Sequence, residues 1–107
     1  MIESVIERIK EIIKQVAPQA KLILFGSQAR GDAKEGSDVD LMVILEQQTI
    51  TLEEERAITT PLYALEFETG KIISPHVITA SDWEKAALRT TFYHEVMKDG
   101  VILQMQP

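Results

Sequence analysis

The chain has 107 residues, no cysteine, and seventeen Asp and Glu against eleven Lys and Arg, for a net charge of −6. That length supports one hydrophobic core, and the missing cysteines exclude disulfides, thiolate zinc sites and a cysteine nucleophile. The acidic balance opposes autonomous nucleic-acid binding, which depends on a basic footprint, and suits a basic protein partner.

Apolar content of 45% with 26% charged residues is that of an ordinary globular chain. The longest apolar run, Leu41 to Leu45, is far too short to cross a membrane. The first ten residues mix acids with apolar side chains and lack the continuous core of a signal peptide. Residues 1–107 are expected to form a single domain, with the cytoplasm as the default location.

Ile2, Val5, Ile6, Ile9, Ile12, Ile13 and Val16 recur at helical spacing, an apolar stripe on a four-turn helix that Pro18 ends. Lys21 to Phe25 reads as a buried strand running into Gly26. Ser27 to Ser37 is a glycine-bearing loop with one helical turn over Gln28 to Arg30. Val39 to Leu45 is apolar on both faces after Asp40, as in a central strand covered on each side. Leu52 to Thr69 is helical, with Leu62, Leu65 and Phe67 facing inward and Gly70 as its stop. Pro61 inside it predicts a kink or a break into two pieces.

Lys71 to Thr79 is a third strand, and Pro75, lacking an N–H, belongs at an edge or a bulge. Ser81-Asp82-Trp83-Glu84 reads as a capping box opening a helix. A further helix from Thr91 to Lys98 ends at Gly100, and Val101 to Leu103 adds a short strand. The predicted fold class is α+β, an α/β two-layer arrangement with a small mixed sheet flanked by helices.

The chemistry concentrates between the first two strands. Asp38 and Asp40 stand at spacing i, i+2, so on a strand they project from one side. Two carboxylates that close repel unless a cation lies between them, and a hard divalent ion is the natural occupant. Mg²⁺ keeps its remaining positions for water and substrate phosphates, which the Gly26-Ser27 turn is placed to hold. A calcium-loop reading fails, because Leu41 to Leu45 continues as strand where that loop needs oxygens and a glycine. The outline is that of a nucleotide-binding, metal-dependent transferase site.

Leu24-Phe25-Gly26-Ser27, Arg30-Gly31 and Ser37-Asp38-Val39-Asp40-Leu41 together resemble the minimal nucleotidyltransferase (MNT) family of the DNA polymerase β-like nucleotidyltransferase superfamily. The match is specific over about twenty residues, and the flanking order of elements is compatible over most of the chain. The resemblance implies that Gly26, Ser27, Arg30 and Ser37 serve the nucleotide, most naturally ATP, and that Asp38 and Asp40 hold Mg²⁺. Gly26 would admit the triphosphate, and Ser27 would donate to its β/γ oxygens. Arg30 would neutralise phosphate or brace the loop against a carboxylate. The implied reaction transfers a nucleoside monophosphate to a hydroxyl, with pyrophosphate leaving.

One departure from the family pattern matters. Its active members usually carry a third carboxylate on the following strand, and 71–78 contains no acid. His76 could serve as a base there. Asp82 fits a helix terminus better, and Glu66 and Glu68 read as solvated. The family also implies a HEPN-domain partner, commonly a ribonuclease toxin, which the MNT protein neutralises as antitoxin, in some cases by adding AMP to a tyrosine. With no acceptor-holding domain in 107 residues, the acceptor is expected on another polypeptide or a second copy. The alternative is a contact antitoxin that binds without catalysis. Association into a homo-oligomer stays open for a domain this small.

Overall fold

A computed structural model describes residues 2–105. Helix α1 (Ile2–Val16) leads to strand β1 (Lys21–Phe25), one helical turn α2 (Ser27–Arg30) and strand β2 (Val39–Leu45). Helix α3 (Leu52–Thr69), strand β3 (Ile73–Thr79), helices α4 (Ala80–Arg89) and α5 (Thr91–Asp99) and strand β4 (Val101–Gln104) complete the order. The strands form one mixed sheet in the order β3-β2-β1-β4. β1 runs antiparallel to both β2 and β4, whereas β2 and β3 are parallel. A parallel pair needs a crossover, and α3 supplies it. The α+β class with a small mixed sheet flanked by helices is as expected.

Alternation along the strands divides the core. Leu22, Leu24, Leu41 and Val43 face the α1 stripe, where Val5, Ile9 and Ile13 are buried, and the inner side of α3. Ile23, Phe25, Met42 and Ile44 face the other way, toward Trp83 of α4 and Val96 of α5. β2 is therefore buried on both faces, as its unbroken apolar run requires.

Two local expectations fail for identifiable reasons, and of the kink or break expected at Pro61 the break does not occur. Phe67 is 94% exposed, while Leu62 and Leu65 are buried. Two residues past Leu65 a helix has turned about 200°, so Phe67 falls on the outer side. α3 runs unbroken through Pro61 from a capping box in which the Thr51 hydroxyl accepts the Glu54 N–H and Glu54 accepts the Thr51 N–H. The cap of α4 is Thr79, not Ser81: the hydroxyl of Thr79 accepts the Asp82 N–H at 3.1 Å. β3 runs straight into α4, and Thr79 ends the strand only 5% exposed. Thr79→Ala is expected to cost about 1 kcal/mol of stability by chemical denaturation, the usual value of an N-cap, and Ser81→Ala almost nothing. Equal costs would show that the helix starts where the sequence pattern put it.

β3 is an edge strand, which accommodates Pro75 as expected. Its outward Ile73 N–H is covered by Glu66, whose carboxylate accepts it at 2.7 Å. Glu66 is thus an edge cover rather than a solvated surface acid, and Glu68 pairs with Arg8 of α1. At the opposite edge, Gln104 of β4 donates its amide to the carbonyls of Ala17 (3.0 Å) and Ala20 (2.8 Å), tying that strand to the turn between α1 and β1.

Candidate functional site

β1 ends where β2 begins, because the antiparallel register sets Phe25 against Asp40. The backbone leaves β1 through Gly26 at φ +76°, a conformation that L side chains rarely adopt. A Cβ on Gly26 would run into the carboxylate of Asp40. The turn and the acid are therefore in contact, and only a residue without a side chain allows it. The Gly26 carbonyl then accepts the N–H groups of Ala29 and Arg30, both at 3.1 Å, and the Ser27 carbonyl accepts that of Gly31 at 3.0 Å. Ser27 opens α2, where the helix has no acceptor of its own for the first N–H groups.

Asp38 is exposed and Asp40 half-buried. Burial pushes the Asp40 carboxyl above its ordinary range, and the charge of Asp38 pushes it further. The nearby His76 and Arg30 act in the opposite sense. Parallel pairing sets Ser74 of β3 opposite Asp40 and His76 opposite Met42. The Ser74 hydroxyl donates to Asp38 at 3.2 Å. Sequence reading assigned Ser74 no role, since its place depends on a strand register that only the fold reveals.

Ser37 is engaged in its own loop: its hydroxyl accepts the Lys34 N–H at 2.8 Å, and its N–H donates to the Lys34 carbonyl at 3.0 Å. The Gln28 side chain reaches the Ser37 carbonyl at 3.5 Å, fastening this loop to α2. Arg30 pairs with Asp32 at 3.2 Å, the bracing arrangement, on the exposed side of the loop. Asp82 lies at the far end of β3, past the Thr79–Leu45 pair, and does not join the site. The β3 residue paired with Asp40 is thus Ser74, and His76 follows two positions on, on the same face.

No cluster of three or more His, Cys, Asp or Glu side chains assembles among the described residues. The pair nevertheless fits a divalent ion: the Asp40 carboxyl is raised by burial first and by Asp38's charge second, and a cation between the two acids relieves that repulsion. Mg²⁺ is commonly held by one or two carboxylates together with water and substrate phosphates.

Comparison with known proteins agrees with this architecture. The profile of the nucleotidyltransferase domain matches residues 6–102. A Methanocaldococcus jannaschii protein, to which protein adenylyltransferase activity is assigned by name, is 34% identical over 103 residues. The match covers 91% of this chain and 96% of that protein. A solved structure described as a minimal nucleotidyltransferase superposes with a TM-score of 0.61 at 25% identity, over 92% of each chain. A toxin–antitoxin crystal structure with AMP-PNP superposes with a TM-score of 0.64 at 18% identity, over 94% of this chain and 74% of that one, a likeness of fold. The chain belongs to the nucleotidyltransferase domain family. The resemblance to minimal nucleotidyltransferases read from Gly26-Ser27 and Asp38-Val39-Asp40 holds.

Among the described residues no helix is long and apolar enough to cross a membrane.

Proposed function

We propose that the protein is an Mg²⁺-dependent adenylyltransferase that moves AMP from ATP to a hydroxyl of a protein acceptor. Its acceptor is a HEPN-type toxin encoded beside it in the same cytoplasm, which makes it an antitoxin. One observation carries the reading: Gly26 of the phosphate turn packs directly on Asp40, so turn and carboxylate pair form one site. The name of the 34%-identical relative supports protein adenylylation, and the neighbour with AMP-PNP supports ATP and a toxin partner.

In this reading Gly26 lets the triphosphate approach the backbone and Ser27 donates to its terminal phosphates. Arg30 and Ser37 hold the loop that carries them. Asp38 and Asp40 are the ligands of Mg²⁺, which when bound neutralises charge on the phosphates and at the reacting phosphorus. Ser74 keeps Asp38 turned toward the site. The acceptor oxygen attacks the α-phosphorus and the bond to the bridging oxygen breaks. Pyrophosphate leaves, and the hydroxyl proton is lost to solvent or to a base. Docking of the partner makes this step effectively unimolecular.

A second reading, an antitoxin acting by contact alone, is favoured by β3, which holds Ser74 opposite Asp40 and His76 two positions on instead of an acid. Incubation with the adjacent HEPN protein, ATP and Mg²⁺ decides between them. Intact-mass spectrometry is expected to show one or more added AMP units on the partner, mapping to a hydroxyl side chain, most naturally tyrosine. A partner silenced with its mass unchanged would establish contact inhibition.

A further inference from the structure

A ring wall stands beside the phosphate turn, and the proposed reaction as written leaves it idle. Phe92, in the first turn of α5, is 40% exposed although three aromatic groups surround it. Its ring meets Phe25 edge-on at 5.5 Å and Trp83 edge-on at 6.3 Å, and His76 lies at 6.2 Å. Phe25 and Trp83, both buried, hold the ring edge-on, and together with Phe25 it lines a hollow of about 170 Å³. Gly26, Arg30, Glu95 and Val96 complete the lining.

That hollow shares Gly26 and Arg30 with the turn assigned to the triphosphate. The base of a nucleotide is tethered to its phosphates through a single ribose, so its pocket must adjoin the phosphate turn. An aromatic ring with little rotamer freedom left to lose is the surface on which a base stacks, whichever base it is. Phe92 stands outside the core beside it, in which Trp83 and Val96 are 6% and 2% exposed.

Resting on the nucleotidyltransferase reading above, the geometry points to Phe92 as the stacking wall for the nucleobase of the bound nucleoside triphosphate. The ring selects a nucleotide over a bare polyphosphate, while Gly26 and Ser27 serve both equally.

Calorimetric titration of the whole chain with Mg-ATP and, separately, with Mg-tripolyphosphate tests this. Wild type is expected to bind Mg-ATP more tightly than the tripolyphosphate. Phe92→Leu, which keeps apolar volume without the ring, is expected to weaken Mg-ATP about tenfold and leave tripolyphosphate unchanged. Phe92→Tyr is expected to restore Mg-ATP binding to near wild type. Equal losses for both compounds would overturn the proposal, because Phe92 would then act by shaping the Phe25–Gly26 turn. Unaltered Mg-ATP binding by Phe92→Leu would overturn it too. If wild type binds neither compound, the triphosphate reading itself fails and the base wall with it. Binding of both compounds with no effect at Phe92 overturns only the wall.

Discussion

Asp38→Asn and Asp40→Asn are each expected to lower AMP transfer at least about a hundredfold, since metal stabilisation of a transferring phosphoryl group is worth several kcal/mol. Asn preserves the shape of the side chain and removes one negative charge from the ion's shell. The fold is expected to survive both changes. The Asp40 carboxyl is raised in the folded protein, by burial first and by Asp38 second. Its proton is held more tightly in the folded state than in the unfolded one. The contribution to stability is therefore full below the unfolded value and is lost as pH rises through the higher folded one. At neutral pH the ionised Asp40 opposes folding, so Asp40→Asn is expected to raise the melting midpoint in metal-free buffer. Adding Mg²⁺ is expected to raise the midpoint of wild type more than that of the variant. An Asn variant that unfolds would mean that the pair holds the fold together instead of a metal.

Gly26→Val is expected to abolish detectable Mg-ATP binding. A β-branched residue at φ +76° is strained by about 1–3 kcal/mol wherever it occurs. Here its Cβ is also driven into the Asp40 carboxylate, so one substitution disturbs both the turn proposed for the triphosphate and the acid proposed for the metal. Gly36→Val is the matched control. Its φ of +86° carries the same kind of strain, but a Cβ there has nothing within 4 Å. Gly36→Val is expected to lose stability and still bind Mg-ATP. If both variants lose binding equally, strain in the loop is the cause and the contact with Asp40 is incidental.

What the sequence disclosed follows from what periodicity can encode. The stripe from Ile2 to Val16 needs only the helical repeat, and β2 needs only an unbroken apolar run, so both stand where expected. The spacing of Asp38 and Asp40 suggests one side of a strand before any packing, whereas Gly26-Ser27 gains meaning only from the family resemblance. Ser74 is not legible, because its hydroxyl reaches Asp38 across a parallel register between segments 36 positions apart. The ring wall of Phe25, His76 and Phe92 was hidden for the same reason, drawing on β1, β3 and α5. Thr79 is not legible as a cap, because the last residue of the strand is itself the cap and no loop separates β3 from α4. Phe67 was placed inward by hydrophobicity alone, and the turn geometry of α3 overrules it.

The two seams of β1 form on different schedules. Its pairing with β2 joins neighbours in the chain and closes across a short loop. Its pairing with β4 joins Leu22 to Gln104, and the Gln104 amide that locks the seam reaches back 84 positions to Ala20. Loop-closure entropy makes that second seam the costlier one to initiate, and contacts so distant slow folding. On a growing chain β1 can acquire one partner early and must wait, with its other edge bare, until β4 has been made. The pair Asp38 and Asp40 lies by the early seam and Phe92 on α5, just before the late one. The Gly26 turn and the acids can thus take shape before the surface proposed for the base is fixed.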